Sequence, residues 1–484
     1  MPDAEASPLL GHPTRRAPQT KSALVRRTAR RKESQLLFLA GLIIFIFVVT
    51  LLFTALSELE YKVKPVTPKI QLPKGIRESW AQYTPYFSTS DYTDPPSQCG
   101  ITQVNIIQRH GARFPATDEN EGKDIREALS KFGLVTTYLD PRLKFLQNYK
   151  YDLGEDGLVA FGAAQSFDSG QYDFTRYKDL VNKTNLPFIR ASGSERVIDS
   201  ANNWTSGFVH ASHRKVKPLL DLIIEELPNS NNTLNNDQCP NAGNSDKQTQ
   251  VWQNIYAEGI AARLNASAPG ASLTAKDVTS LFKLCALETV AKSKPSDFCG
   301  MFDLKEFEDF EYYGDLNKYY KNGYGQDLGP VQGVGYVNEL IARLTNSPVH
   351  DNTQTNRTLD SNPTTFPLDR PMYIDFSHEN VMTSIYSALG LFRQEGGDLD
   401  PRNPDRERTW IASRLVPFSA RLVTERLECS GMTVVRMFVN DRLQPLEFCD
   451  GDEEGDGLCL LDKFIESQRY ARSDGAGDFE RCFT

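Results

Sequence analysis

No C-x-x-C pair occurs among the eight cysteines, and their spacings are wide and irregular, unlike the close-set ligand pairs of structural zinc sites. Zinc modules are excluded on that ground. No second histidine follows His378 at position 382, which is Met, so the H-E-x-x-H zincin pattern is absent as well. The chain has no internal repeat of fixed period and no low-complexity tract. Net positive charge is absent beyond residue 35: the first 35 residues carry +5, eight basic against three acidic, so the overall −9 leaves −14 for the remainder. An acidic body is a poor partner for nucleic acid.

What is present is ordinary globular chemistry, 39% hydrophobic and 24% charged over 484 residues. One run departs from it. Leu36 to Leu56 holds 21 residues without a charge, enough to cross a bilayer once as a helix and too long for the apolar region of a cleaved signal peptide. The flanking Arg15, Arg16, Lys21, Arg26, Arg27, Arg30, Arg31 and Lys32 place the amino terminus in the cytosol by the positive-inside rule. The expected organisation is a basic tail over 1–35, a signal-anchor span over 36–56, a Lys- and Pro-rich stalk over 57–74, and a body over 75–484. The result is a single-pass type II protein with its body extracellular or luminal. "EASPLL" from Glu5 to Leu10 fits an acidic dileucine sorting signal and points to endosome or vacuole.

Two features fit an exported body. Cys99, Cys239, Cys285, Cys299, Cys429, Cys449, Cys459 and Cys482 all lie beyond the span, an even number suited to disulfides. The N-x-S/T sequons at Asn182, Asn203, Asn231, Asn265 and Asn356 lie on the same side as candidate glycosylation sites.

Three apolar runs end at polar clusters: "VNIIQ" before Arg109, "LPFI" before Arg190, and "PMYIDF" ahead of His378. Each reads as a strand followed by an amphipathic helix; Val197, Ala201, Trp204 and Phe208, for instance, keep i, i+4, i+7, i+11 spacing. Repeated strand–turn–helix units predict an α/β sheet with its site beyond the strand ends. Residues 205–335, with stretches such as "KPLLDLIIEEL" and "TSLFKLCALETVAK", read as mostly helical, a cap subdomain inserted in the body.

"RHGAR" sets Arg109 and Arg113 around His110. Guanidinium groups match phosphate oxygens in pairs, and positive surroundings keep a histidine neutral and nucleophilic in mild acid. Gly111 allows close backbone approach. The combination suits phosphoryl transfer.

"RHGARFP", with "SWAQYTPYFS" (Ser79 to Ser88), "FIRASGSERVIDSA" (Phe188 to Ala201), "LGPVQGVGYVNELIARLTNSPVHDNT" (Leu328 to Thr353) and "DFSHENVM" (Asp375 to Met382) in the same order, resembles the histidine acid phosphatases and is similar to the fungal phytases in particular. The resemblance runs from about residue 75 to the end. It implies a phosphoglycerate-mutase-like α/β domain, a mixed sheet flanked by helices with a helical cap, and no cofactor or metal. It further implies His110 as the nucleophile that becomes a phosphohistidine, Arg109, Arg113 and Arg190 with His378 as phosphate ligands, and the acidic residue after that histidine as general acid. Here that residue is Glu379, where the family carries Asp. Arg196 reads as the structural arginine of its stretch, and His12, His210, His213 and His350 as structural histidines. Also implied are disulfides joining Cys99 to Cys429, Cys239 to Cys482, Cys285 to Cys299 and Cys449 to Cys459.

The expected activity is metal-free hydrolysis of phosphomonoesters, of phytate or of other small phosphorylated substrates, with an optimum in acid because His110 acts unprotonated and Glu379 protonated. "ATDENEGKDIREALSKF" carries Asp118, Glu119, Glu121 and Asp124, and "DLNKYYKNG" a single lysine, Lys318, before its tyrosine pair. A phytate pocket calls for more positive charge than that. The alternative reading is a membrane-anchored glycoprotein that binds phosphorylated ligands with weak or no turnover.

Overall fold

The computed structural model describes residues 38–49, 64–227, 230–236, 238–449 and 456–484. Residues 1–62 form one unit and Val63–Thr484 another. Within the first, residues 38–49 are helical and exposed; among the described residues no helix is long and apolar enough to cross a membrane. The tail, both ends of the 36–56 run and the first part of the stalk lie outside the described residues.

The second unit is built on an eight-stranded mixed sheet with the order β3-β2-β4-β1-β5-β6-β7, β8 pairing with β6. The strands are β1 (Cys99–Arg109), β2 (Phe188–Ser192), β3 (Leu222–Ile224), β4 (Met372–Ser377), β5 (Arg421–Cys429), β6 (Met432–Val439), β7 (Arg442–Leu443) and β8 (Cys459–Leu460). The half containing β3, β2, β4 and β1 is parallel; β5 turns antiparallel along β1, and β6 follows along β5. Val104 to Arg109 are buried throughout, the near-continuous burial of a central strand covered on both faces. Parallel pairing brings the carboxyl ends of neighbouring strands level. Arg109 stands beside Ser377, and Ala191 beside Phe376.

The helices used below are α1 (Glu121–Ser130), α2 (Ala160–Tyr177), α3 (Glu195–Ala211), α4 (Asp246–Ser267), α5 (Ala275–Lys292), α6 (Leu304–Asn322), α7 (Val334–Thr345) and α8 (Glu379–Leu389). On α3 the spaced residues Val197, Ala201, Trp204 and Phe208 form the buried stripe, packed with Val104, Ile106, Ile189 and Ile374 of the sheet. Long helices α4 to α6 occupy the middle of the chain; α5 and α6 begin with reciprocal capping boxes, Thr274 with Asp277 and Asp303 with Glu306. "KPLLDLIIEEL" is not helical: Leu222–Ile224 is the edge strand β3. Three consecutive apolar residues suit a strand paired beside β2 as well as they suit a helix turn.

All eight cysteines are bridged in the four expected pairs, Cys99–Cys429, Cys239–Cys482, Cys285–Cys299 and Cys449–Cys459. The first ties β1 to β5 at opposite residues of their register. The second anchors the chain's last residues to position 239.

Candidate active site

Three strand ends supply the site. β1 ends at Arg109 and passes into His110, Gly111 and Arg113; β4 ends at Ser377 and gives His378, the residue capping α8, then Glu379 in its first turn. The third, β2, leads through Gly193 into α3, whose first turn carries Arg196.

His110 is fully buried. Its Nδ1 lies 2.8 Å from the Gly111 carbonyl oxygen, which only accepts, so Nδ1 carries the hydrogen and Nε2 keeps its lone pair. Nε2 makes no hydrogen bond within the protein and stands 3.6 Å from Glu379 Oε2. Burial first, with Arg109 and Arg196 adding to it against the opposing pull of Glu379, holds the imidazole well below its ordinary range. A neutral histidine with a free Nε2 lone pair is a nucleophile in the making.

Arg109 is equally buried. Its Nη1 donates to the carbonyls of Gln82 and Val416, the latter at 2.7 Å, and its guanidinium lies 4.5 Å from the centre of the Phe418 ring. Nε is 2.9 Å from Glu379 Oε2, yet the N–H points off that oxygen, and neither Nε nor Nη2 is hydrogen-bonded. The contact is an ion pair without a directed hydrogen bond. Arg113 donates from Nη1 to Glu121 at 2.7 Å, which also accepts from Tyr83 and from the Ala116 amide; its Nε has no partner.

Glu379 links the two sides. Burial pushes its carboxyl up, but Arg109, Lys318 and His110 overrule burial and hold it well below the usual range. Lys318 Nζ lies 3.5 Å from Oε1 and donates to Asn380 Oδ1 at 2.8 Å; burial lowers this lysine in turn. His378 Nε2 lies 2.9 Å from Glu226 Oε1, and its ring centre is 5.7 Å from that of His110. Glu226, just past β3, is held down to about 2, burial opposing and the His378 contact prevailing. It also accepts from Ser192 and from the Ser194 amide. Reading that segment as helix hid Glu226.

The two arginines of the β2–α3 segment sit differently from expectation. Arg190 is bound by Asp375 at 2.7 Å and by Glu339, with Arg343 sharing Asp375, all of them buried. Its charge is spent inside the protein. Arg196 is half-buried, acts on the His110 imidazole through its charge and has a buried Nε without a partner. The sequence reading gave Arg196 the structural role and Arg190 the ligand role, both arginines lying in one stretch. The signal was its place in the first turn of α3, against Arg190's place inside β2.

Among the described residues no group of three or more His, Cys, Asp or Glu is arranged to hold a metal ion. Around His110 the buried polar atoms without a hydrogen bond include its own Nε2 lone pair and donor nitrogens of Arg109 (two), Arg113 and Arg196 (one each), a set that suits an anion. Donors left unpaired under burial are costly, and a tetrahedral oxyanion offsets that cost.

The family model of the histidine phosphatase superfamily, branch 2, matches residues 100–440. Phytase A of Emericella nidulans is 41% identical over 430 residues, 85% of this chain and 91% of that protein. Phytase A of Aspergillus oryzae is 38% identical over 431 residues, 84% and 91% of the two. Among solved structures, the phytase from D. castellii superposes with a TM-score of 0.69 at 24% identity, covering 84% of this chain and 87% of that one. The Bifidobacterium longum multiple inositol polyphosphate phosphatase in complex with inositol hexasulfate shares the fold, with a TM-score of 0.56 at 13% identity over 82% and 98%.

Proposed function

Since the chain belongs to branch 2 of the histidine phosphatase superfamily, we infer that it is a phytase-like phosphomonoester hydrolase working through a phosphohistidine at His110. The observation that carries the mechanism is the Nε2 of His110, without a hydrogen bond, set beside arginine nitrogens that likewise make none. The arginines hold the non-bridging oxygens, and Nε2 attacks phosphorus in line with the ester oxygen. The N–P bond forms as the P–O bond breaks, and the departing oxygen takes a proton from Glu379. Water then attacks the phosphohistidine, returning its proton to Glu379 and releasing inorganic phosphate. Arg109, Arg113 and Arg196 take the ligand roles, with His378 oriented toward the phosphate by Glu226.

Glu379 is ionised in the resting site because Arg109 and Lys318 face it. An incoming phosphate competes for those cations and brings negative charge beside the carboxylate, which raises its proton affinity. The acid therefore loads in the complex, and low pH favours loading. Release of phosphate from phytate and from p-nitrophenyl phosphate, assayed from pH 2 to 8 with the full chain, peaks below about pH 6 and is abolished in His110→Ala. A maximum above neutrality contradicts the acid role of Glu379.

Location forms part of the reading. The charge-free run at 36–56 with its basic flank supports one span with the catalytic body outside the cytosol, and four disulfides suit that compartment. Exposed Asn182, whose Oδ1 accepts from Thr184 in a turn, is a suitable glycan acceptor. Resistance of the full-length protein to alkaline extraction from membranes tests the span, and its release as soluble protein rejects it.

A further inference from the structure

Helix α6 presents Glu311, Asp315 and Lys318 at i, i+4 and i+7, which is a single face. Lys318 belongs to the site already described. Both carboxyl groups are buried, and all four of their oxygens are engaged by loop residues. Glu311 Oε2 accepts from the Ala81 amide at 2.7 Å, and Oε1 from the Ser413 amide at 2.8 Å. Asp315 Oδ1 accepts from the Ala412 amide at 2.6 Å, and Oδ2 from Arg408 Nε at 2.7 Å. Two segments more than 300 residues apart in sequence, around 80–84 and 411–416, thus hang from one helix face.

Those same segments end at Arg109. The carbonyl of Gln82, next to Ala81, and the carbonyl of Val416, three residues past Ser413, are the two acceptors that fix Arg109 Nη1. Ala81 is in the left-handed region, with φ 50°, a conformation a non-glycine residue keeps only when its surroundings impose it. Glu311 supplies a directed bond to its amide, and Gly314 supplies the room: a Cβ at 314 would lie 2.1 Å from that of Ala81.

We propose that Glu311 and Asp315 are positioning residues for phosphate binding, a carboxyl clasp that sets Arg109 by holding the Gln82 and Val416 carbonyls in register. This rests on the reading of Arg109 as a phosphate ligand. Phosphoryl transfer is sensitive to placement, and an error of about 1 Å costs up to 10²-fold. A purely structural role for the pair would be felt equally with or without the arginine.

The test is a double-mutant cycle in the full chain, Glu311→Gln crossed with Arg109→Lys. It is read as kcat/KM for p-nitrophenyl phosphate and as inhibition by inorganic phosphate, at a temperature where every variant is folded. Gln keeps one acceptor oxygen and turns a donor toward the other amide. Glu311→Gln alone lowers kcat/KM by about 10- to 100-fold and weakens phosphate inhibition; in the Arg109→Lys background it changes either by less than about 2-fold, the non-additivity of residues acting as one unit. Exposed Glu308→Gln on the same helix leaves both unchanged. Equal losses in the two backgrounds, or no loss at all, overturn the clasp. If Glu311→Gln does not fold, Asp315→Asn in the same cycle decides by the same criterion. His110→Ala separates the two claims: turnover that survives it refutes the catalytic reading, while turnover that it abolishes leaves the clasp to the cycle alone.

Discussion

Two arginines six residues apart show how function divides at the scale of single residues. Arg190 is paired across the sheet with Asp375, which the parallel register of β2 and β4 sets directly opposite; Arg196 sits in the first turn of α3 with one buried nitrogen making no hydrogen bond. Removing one partner of a buried ionic network costs about 3–5 kcal/mol because the remaining charges are left uncompensated. Arg190→Ala should therefore lose stability of that order in urea unfolding. Arg196→Ala should keep its unfolding midpoint within about 0.5 kcal/mol and lose about 10²- to 10³-fold in kcat/KM, the cost of removing one preorganised donor to developing charge. The opposite pattern, an active Arg196→Ala and a stable but inactive Arg190→Ala, returns the ligand role to Arg190. Beyond their places in strand and helix, local sequence could not show the partner that occupies Arg190. Asp375 lies 185 positions from Arg190, and only the sheet register brings them together.

At the scale of elements, the strand ends were readable and the edge was not. "VNIIQRHG" announced its own strand and turn because burial on both faces demands continuous apolar residues, whereas β3 is three residues long and borrows its structure from β2. The α2–α3 pair was also invisible, because glycines leave no hydrophobic signature. A Cβ on Gly207 would lie 1.9 Å from the Phe167 carbonyl oxygen, and one on Gly170 2.0 Å from that of Trp204. The backbones of the two helices touch there. Since α3 also carries Arg196, and Ser200 whose hydroxyl accepts from the Gly111 amide at 3.0 Å, a wedge between the helices reaches the site. Gly207→Ala is expected to lower stability by about 1–3 kcal/mol through overpacking and to raise KM for p-nitrophenyl phosphate. An unchanged thermal midpoint in that variant would show that the helices separate without cost.

Across the whole molecule, buried and half-buried carboxyls pull stability in opposite directions with pH. Asp375 and Glu226 are held down to about 2 by Arg190 and by His378 respectively, each overriding burial. Their contribution is complete above their unfolded values near 4 and is lost as pH falls toward about 2. Neutral buried His110 works in the same sense: the unfolded chain takes up its proton below about 6.5 and the folded site resists. Burial pushes Glu311, beside Asp315, and Asp360, beside Glu339, up to about 8. For these the folded state holds the proton more tightly, so stability is present below about 4.5 and drains away as pH rises through 8. The opposing slopes cross in mild acid, and the thermal midpoint is expected to be highest near pH 4–6 and to fall on both sides. Inorganic phosphate at 100 times its dissociation constant adds about 2.7 kcal/mol by mass action, and this gain disappears in Arg109→Ala. A midpoint that climbs steadily from pH 5 to pH 8 would mean that Glu311 and Asp360 are ionised and solvated in the native protein. The clasp on Arg109 would then include an ionised Glu311, and kcat/KM would follow the titration of Glu311 as well as that of Glu379.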